Sequence, residues 1–132
     1  MVEEKEDTHI AIFNKTSIRR KVVNNRWFFS VVDVVGALTD SEDSRKYWNK
    51  LVQRLKEEGN EVVTFCHQLK LIAEDGKLRE TDCADTEGIF RIIQSIPSKK
   101  AEPFKRWLAK VGYERVQEIE NPELAQERMK KI

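Results

Sequence analysis

Residues 30–58, SVVDVVGALTDSEDSRKYWNKLVQRLKEE, constrain the fold more than any other stretch, because two apolar faces are separated by one polar break. Ser30 with Asp33 three residues on has the form of a capping box, in which each side chain satisfies a free backbone N–H at a helix start. Val31, Val34, Val35 and Leu38 then fall at helical spacing, although four valines in five residues suit a strand equally well. After the break at Thr39-Asp40-Ser41, Tyr47, Leu51 and Leu55 repeat every four residues, with Trp48 and Val52 beside them. That is one buried helical stripe. The opposite side carries Arg45, Lys46, Asn49, Lys50, Gln53, Arg54 and Lys56. Two helices joined by a short polar turn, the second one basic, form the pattern of a helix-turn-helix reader of the major groove. A merely solvated helix face has the same composition, so the pattern alone leaves both readings open.

The flanking segments extend this unit on both sides. His9 to Phe13 is a short apolar run, Asn14-Lys15-Thr16 a turn, and Ser17 to Val23 a second extended run. Asn24-Asn25 between Val22-Val23 and Arg26-Trp27-Phe28-Phe29 predicts a tight hairpin, since Asn tolerates the positive φ of a two-residue turn. Residues 9–30 therefore read as a three-stranded antiparallel meander, with Trp27 and Phe29 on one face and Phe28 on the other. Gly59-Asn60 stops the basic helix. Glu61 to Leu71 alternates as a strand, Asp75-Gly76 marks a turn, and Leu78 to Asp82 returns as its partner, giving a second small hairpin. A third helix is expected over Asp85 to Ile96, with Ile89, Ile92, Ile93 and Ile96 buried and Asp82 or Asp85 at its cap. A fourth covers about Ala101 to Glu118, with Pro103 in its first turn and Phe104, Trp107, Leu108, Val111 and Val116 on its apolar side. Asn121-Pro122 breaks it and opens a last helix through Leu124 and Met129. The fold class is α+β: a meander, a two-helix unit, a small hairpin and C-terminal helices.

At 132 residues the chain is one domain, with residues 1–8 read as a disordered start. Its abrupt end at Lys130-Lys131-Ile132 suggests a cut from a longer protein. A hydrophobic fraction of 39% beside 36% charged residues describes a globular chain, not a disordered one. No apolar run reaches the roughly 18 residues of a membrane span, and MVEEKEDTH lacks a signal-peptide layout, so no membrane partner and a cytoplasmic location are expected. The net charge of +1 is low for a nucleic-acid binder, but its distribution is uneven. Residues 15–56 sum to +6 and residues 97–132 to +3, whereas residues 1–14 sum to −3 and residues 57–96 to −5. A fold that gathers the positive segments on one face attracts an anion.

Catalysis has little support. Cys66-His67 and Cys83 raise a thiolate or a metal, yet adjacent strand residues point to opposite faces and no CxxC or HxxxH spacing occurs. Asp82, Asp85 and Glu87 are explained by helix capping. No phosphate-cradling or nucleophile-elbow motif appears, so neither an enzyme nor a cofactor is expected.

WFFSVVDVVGALTDSEDSRKYWNKL, CHQLKL, TDCADTEGIFRIIQSIPSKKAEPFKRWLAKVG and the earlier IAIFNKTSIRR together resemble the Bro-N domain, found at the front of prophage antirepressors and baculovirus repeated-ORF proteins. The resemblance covers most of residues 9–120. It implies an α+β module that leads a longer chain, associated with DNA binding and with regulation of viral or prophage genes; the NPELAQERMKKI tail at 121–132 resembles the opening of a further helical region. For double-stranded DNA the candidate residues are Arg45, Lys46, Asn49, Lys50 and Arg54 in the basic helix, with Arg19, Arg20, Lys21 and Arg26 of the meander reaching flanking phosphates. Arg45 and Asn49 are able to make paired bonds to guanine or adenine edges, whereas the lysines position. A solvated strand face is the competing reading for the meander arginines. Lys99, Lys100, Lys105 and Arg106 form a second basic patch, read as solvent-exposed or as a partner surface. Tyr47, Trp48, Trp27 and Trp107 are read as core. The alternative function is a protein-interaction module that binds and inactivates a phage repressor, for which the near-zero net charge and the acidic 57–96 segment speak.

Overall fold

The computed structural model describes residues 8–60 and 64–114. Its chain order is β1 (His9–Phe13), β2 (Thr16–Val23), β3 (Arg26–Ser30), α1 (Val31–Leu38), α2 (Ser44–Glu57), β4 (His67–Ile72), β5 (Leu78–Asp85), α3 (Thr86–Ile93) and α4 (Ala101–Val111). The α+β class, the meander and the two-helix unit all stand as the patterning predicted. Both tight turns of the meander place two consecutive residues at positive φ, Asn14 and Lys15, then Asn24 and Asn25. Their handedness matches the twist of the flanking strands.

The second hairpin is not a separate unit. Phe28, Phe29 and Ser30 pair with Asp85, Ala84 and Cys83, so β5 enters beside β3 and one five-stranded antiparallel sheet forms in the order β1-β2-β3-β5-β4. β5 also runs on to Asp85, beyond the expected end at Asp82. β4 starts later than expected, at His67. Residues 61–63 lie outside the described ones, and Thr64 and Phe65 form a 3-10 turn. The reason is tertiary: Phe65 faces α3, where the Arg91 guanidinium stacks 4.5 Å from its ring centroid.

Strand alternation sorts the side chains onto two faces. Ile18, Trp27, Phe29 and Ala84 join the helix residues Val31, Val34, Val35, Leu38, Trp48, Leu51, Leu55, Ile89, Ile92, Ile93, Phe104 and Leu108 in the main core. Phe28, Leu71 and Cys83 form a smaller cluster on the other face. The sheet also curls. Arg19 Nη1 donates to the Ile72 carbonyl at 2.9 Å, and the Ile72 N–H donates to Thr8 Oγ1 at 3.4 Å, so β4 meets β2 and the residue before β1 although they are not sheet neighbours.

The valine run resolves as a helix because its start is capped. Ser30 Oγ accepts from the Asp33 N–H at 3.3 Å. The capping box is only half formed, because the Asp33 carboxylate turns to Arg19, taking its Nε and its backbone N–H at 2.8 and 2.9 Å. α2 is capped by Asp43, whose side chain accepts from the Lys46 N–H. At the α1–α2 approach, a Cβ on Gly36 would lie 2.9 Å from Ser44 Oγ, so a larger residue there would turn that hydroxyl aside. Of the two expected caps, Asp85 caps α3. Asp82 instead accepts from Trp48 Nε1 at 2.9 Å and ties α2 to β5.

α4 ends at Val111, short of the expected Glu118. A Cβ on Gly112 would meet Thr86 Oγ1 at 2.3 Å and the Leu108 carbonyl at 2.8 Å, which holds this end tightly against α3. Val116 and the tail at 121–132 lie outside the described residues, as do residues 1–7 of the acidic start.

Candidate nucleic-acid interface

The helical repeat of α2 separates a buried edge of Trp48, Leu51 and Leu55 from an outer surface. Arg45, Lys46, Asn49 and Lys50 are all exposed on that surface. Among the described residues none of these three cations has a carboxylate within ion-pair distance. Arg54 is exposed too, but it pairs with Glu58 at 3.9 Å and donates to the Ser95 carbonyl at 3.3 Å. The helix is held rigidly from below by its core stripe and by the Trp48–Asp82 bond. The result is a fixed rod carrying an outward row of cationic and amide donors.

The meander cations are used differently. Arg20 is 4% exposed, with its guanidinium 4.0 Å above the Trp27 ring, donating to the Val111 carbonyl at 3.0 Å and pairing with Glu114 at 3.7 Å. Burial pushes this guanidinium down from its usual range, with Glu114 opposing. Its Nε has no hydrogen-bond partner among the described residues. Arg20 therefore has no surface from which to reach a phosphate. Arg19 is engaged by Asp33, Ser30 Oγ and the Ile72 carbonyl, and the hydrogen bond to Asp33 raises it. Arg26 is exposed but pairs with Asp85 at 3.0 Å and lies over Phe28. Lys21 is half-buried opposite Phe28, on the sheet face away from the helix-covered core. The structure thus brings the α2 residues together and scatters those of the meander.

α2 has two unlike flanks. Arg45 borders an open cleft of about 850 Å3 that also holds Arg19, Asp33, Glu74, Asp75 and Arg79. Tyr47 borders a groove of about 560 Å3 with Leu38, Pro97, Ser98, Lys99 and Lys100. Tyr47, read as core, is half-buried and lines this groove; Trp107 is half-buried against the core as well. No pattern in the linear sequence tells that Lys99 and Lys100 stand across a groove from α2.

The thiols offer no nucleophile at neutral pH, since burial pushes Cys66 up to about 11 and Cys83 up to about 12. Among the described residues no three His, Cys, Asp or Glu side chains gather where a metal ion would sit, and no helix is long and apolar enough to cross a membrane.

The described residues thus form an α+β module with one outward basic helix. The model of the BRO family N-terminal domain matches residues 17–118, and the chain belongs to that family. This makes it a DNA-binding, antirepressor-like module in general terms. Comparison with curated proteins and with solved structures gives no match.

Proposed function

We propose that the chain is the DNA-binding module of a prophage antirepressor-like regulator and that it contacts duplex DNA through the outer face of α2. The observation that carries this reading is the exposed row Arg45, Lys46, Asn49 and Lys50 on one rigid helix, with its cations free of carboxylate partners among the described residues. Arg45 and Asn49 carry the paired donors and acceptors that read guanine and adenine edges, while Lys46 and Lys50 neutralise phosphate. Arg54 joins them by exchanging a weak surface pair with Glu58 for a phosphate.

Fluorescence anisotropy with a mixed-sequence duplex over a salt series tests this. Wild-type affinity falls linearly in log K against log salt, and Lys46→Ala with Lys50→Ala lowers the slope by about 1.8, roughly 0.9 for each phosphate no longer neutralised. An unchanged slope in the double variant removes α2 from the interface.

A second reading, capture of a phage repressor, is favoured by β1. Among the described residues this strand is paired on one side only, and Ile10 and Ile12 on it are 58% and 64% exposed. An unpaired apolar edge accepts a strand from another protein. Under this reading Ile12→Lys abolishes co-elution with the repressor and leaves the DNA salt slope unchanged; retained co-elution removes β1 from that interface.

A further inference from the structure

We propose that the groove between α2 and residues 97–100 binds the sugar-phosphate backbone of the duplex, through Lys99 and Lys100 in the groove and Lys50 and Arg54 farther along the adjoining flank of α2. The inference rests on the DNA reading of α2 and assigns the side of that helix on which the backbone lies.

The geometry comes from two elements far apart in sequence. Tyr47, Lys50 and Arg54 follow one another at spacings of three and four, which puts them on a single flank of α2. Tyr47 at one end of this flank lines the groove together with Lys99 and Lys100. Arg54 at the other end donates to the Ser95 carbonyl, just before the same loop. Lys50 lies between them and is exposed. The loop is held in place, since Ser98 Oγ donates to the Leu38 carbonyl and accepts the Lys100 N–H at 3.1 Å. Lys99 and Lys100 therefore line one groove with Leu38, Tyr47 and Pro97, and Lys50 and Arg54 continue from Tyr47 along the same flank of α2.

Charge distinguishes this flank from the other. Asp40 is the acid among the groove residues; its side chain is 97% exposed and meets Lys100 Nζ at 3.5 Å. So exposed a pair is weak and exchanges readily for phosphate. The cleft on the opposite flank is balanced: Arg19 pairs with Asp33 and Arg79 with Asp75, and Glu74 lines it opposite the single charge of Arg45. A backbone crossing α2 is thus drawn toward the 97–100 loop, where two lysines face one acid, in preference to the balanced cleft by the β4–β5 turn. The Tyr47 side chain adds a neutral hydroxyl donor along the same wall.

The test uses the whole 132-residue chain and a mixed-sequence duplex of about 20 base pairs. Lys99→Ala with Lys100→Ala lowers the salt slope by about 1.8 and weakens binding equally for unrelated sequences, as removal of phosphate-neutralising cations does. Glu74→Gln on the opposite flank leaves the slope within about 0.5 of wild type, since Glu74 neutralises no phosphate. A second measurement needs no variant: bound duplex slows acetylation of Lys99 and Lys100 relative to Lys77, which sits in the β4–β5 turn. An unchanged slope together with unprotected Lys99 and Lys100 overturns the groove, and the α2 reading survives if Lys46→Ala with Lys50→Ala still lowers the slope. Absence of duplex binding by the wild-type chain overturns both.

Discussion

Arg20 on β2 and Arg45 on α2 belong to the same charge-rich segment, yet the fold has put them to opposite uses. Arg20 is enclosed between the Trp27 ring, the end of α4 and Glu114. Arg45 is exposed, with no carboxylate at ion-pair distance among the described residues. Arg19 sides with Arg20, Lys46 and Lys50 with Arg45. A cation that crosses into the sheet interior must find internal acceptors or be neutralised, whereas one on the outer arc of a helix stays hydrated and available. Local charge density therefore says little about binding until the element bearing it has been packed.

The sharpest way to break this contrast is Arg20→Ala. It strands the Val111 carbonyl and Glu114 and removes the cation from the Trp27 face, costing on the order of 3 kcal/mol. Urea unfolding followed by tryptophan fluorescence measures it, and a loss under about 1 kcal/mol would mean that Arg20 is not structural. Gly112→Ala attacks the same junction sterically, since the added methyl meets Thr86 Oγ1 and the Leu108 carbonyl; about 2–3 kcal/mol is expected. Arg19→Ala leaves the part-buried Asp33 carboxylate without its guanidinium partner and opens the bridge to Ile72, for about 2 kcal/mol by the same assay.

Cys83, paired with Ser30 across the strands beside this bridge, sharpens the contrast through pH. Its proton is held to about 12 in the fold against an ordinary 9.0, so the unfolded chain releases it first. The thiol's contribution is fully present below pH 9.0 and is lost as pH rises toward about 12. At pH 10 the loss is about 1–2 kcal/mol. Comparing unfolding midpoints at pH 8 and pH 10 checks this, and Cys83→Ala reduces the difference, with Cys66, held up to about 11, supplying a similar share of what is left. The smallest stability effect belongs to Lys46→Ala with Lys50→Ala, within about 0.5 kcal/mol of wild type, because neither side chain holds anything together. A larger destabilisation there would erase the distinction between structural and free cations.

Much of the fold was legible because its signals are local. Asn24-Asn25 announced a hairpin through the positive φ that Asn tolerates, and the Trp48, Leu51 and Leu55 repeat announced the buried side of α2. The Ser30 cap resolved the valine run, whose composition left helix and strand open. The outward placement of Arg45, Lys46, Asn49 and Lys50 followed from the same periodicity. What failed were inferences whose answer lies with a distant partner. Asp33 was expected to close a capping box and went to Arg19 instead. Phe65 was expected in a strand and packs on α3.

The sequence by itself determined the element order, the family and the basic helix, since turn chemistry, helical period and motif blocks act over a few residues. Only the tertiary structure decided that β5 slots beside β3, that Arg20 is buried and Arg19 tied to Asp33 and Ile72, and that Lys99 and Lys100 face α2 across a groove. Those outcomes depend on which residues meet across 14 to 91 positions of chain. Burial and pairing at that range are properties of the packed core, to which no local pattern has access.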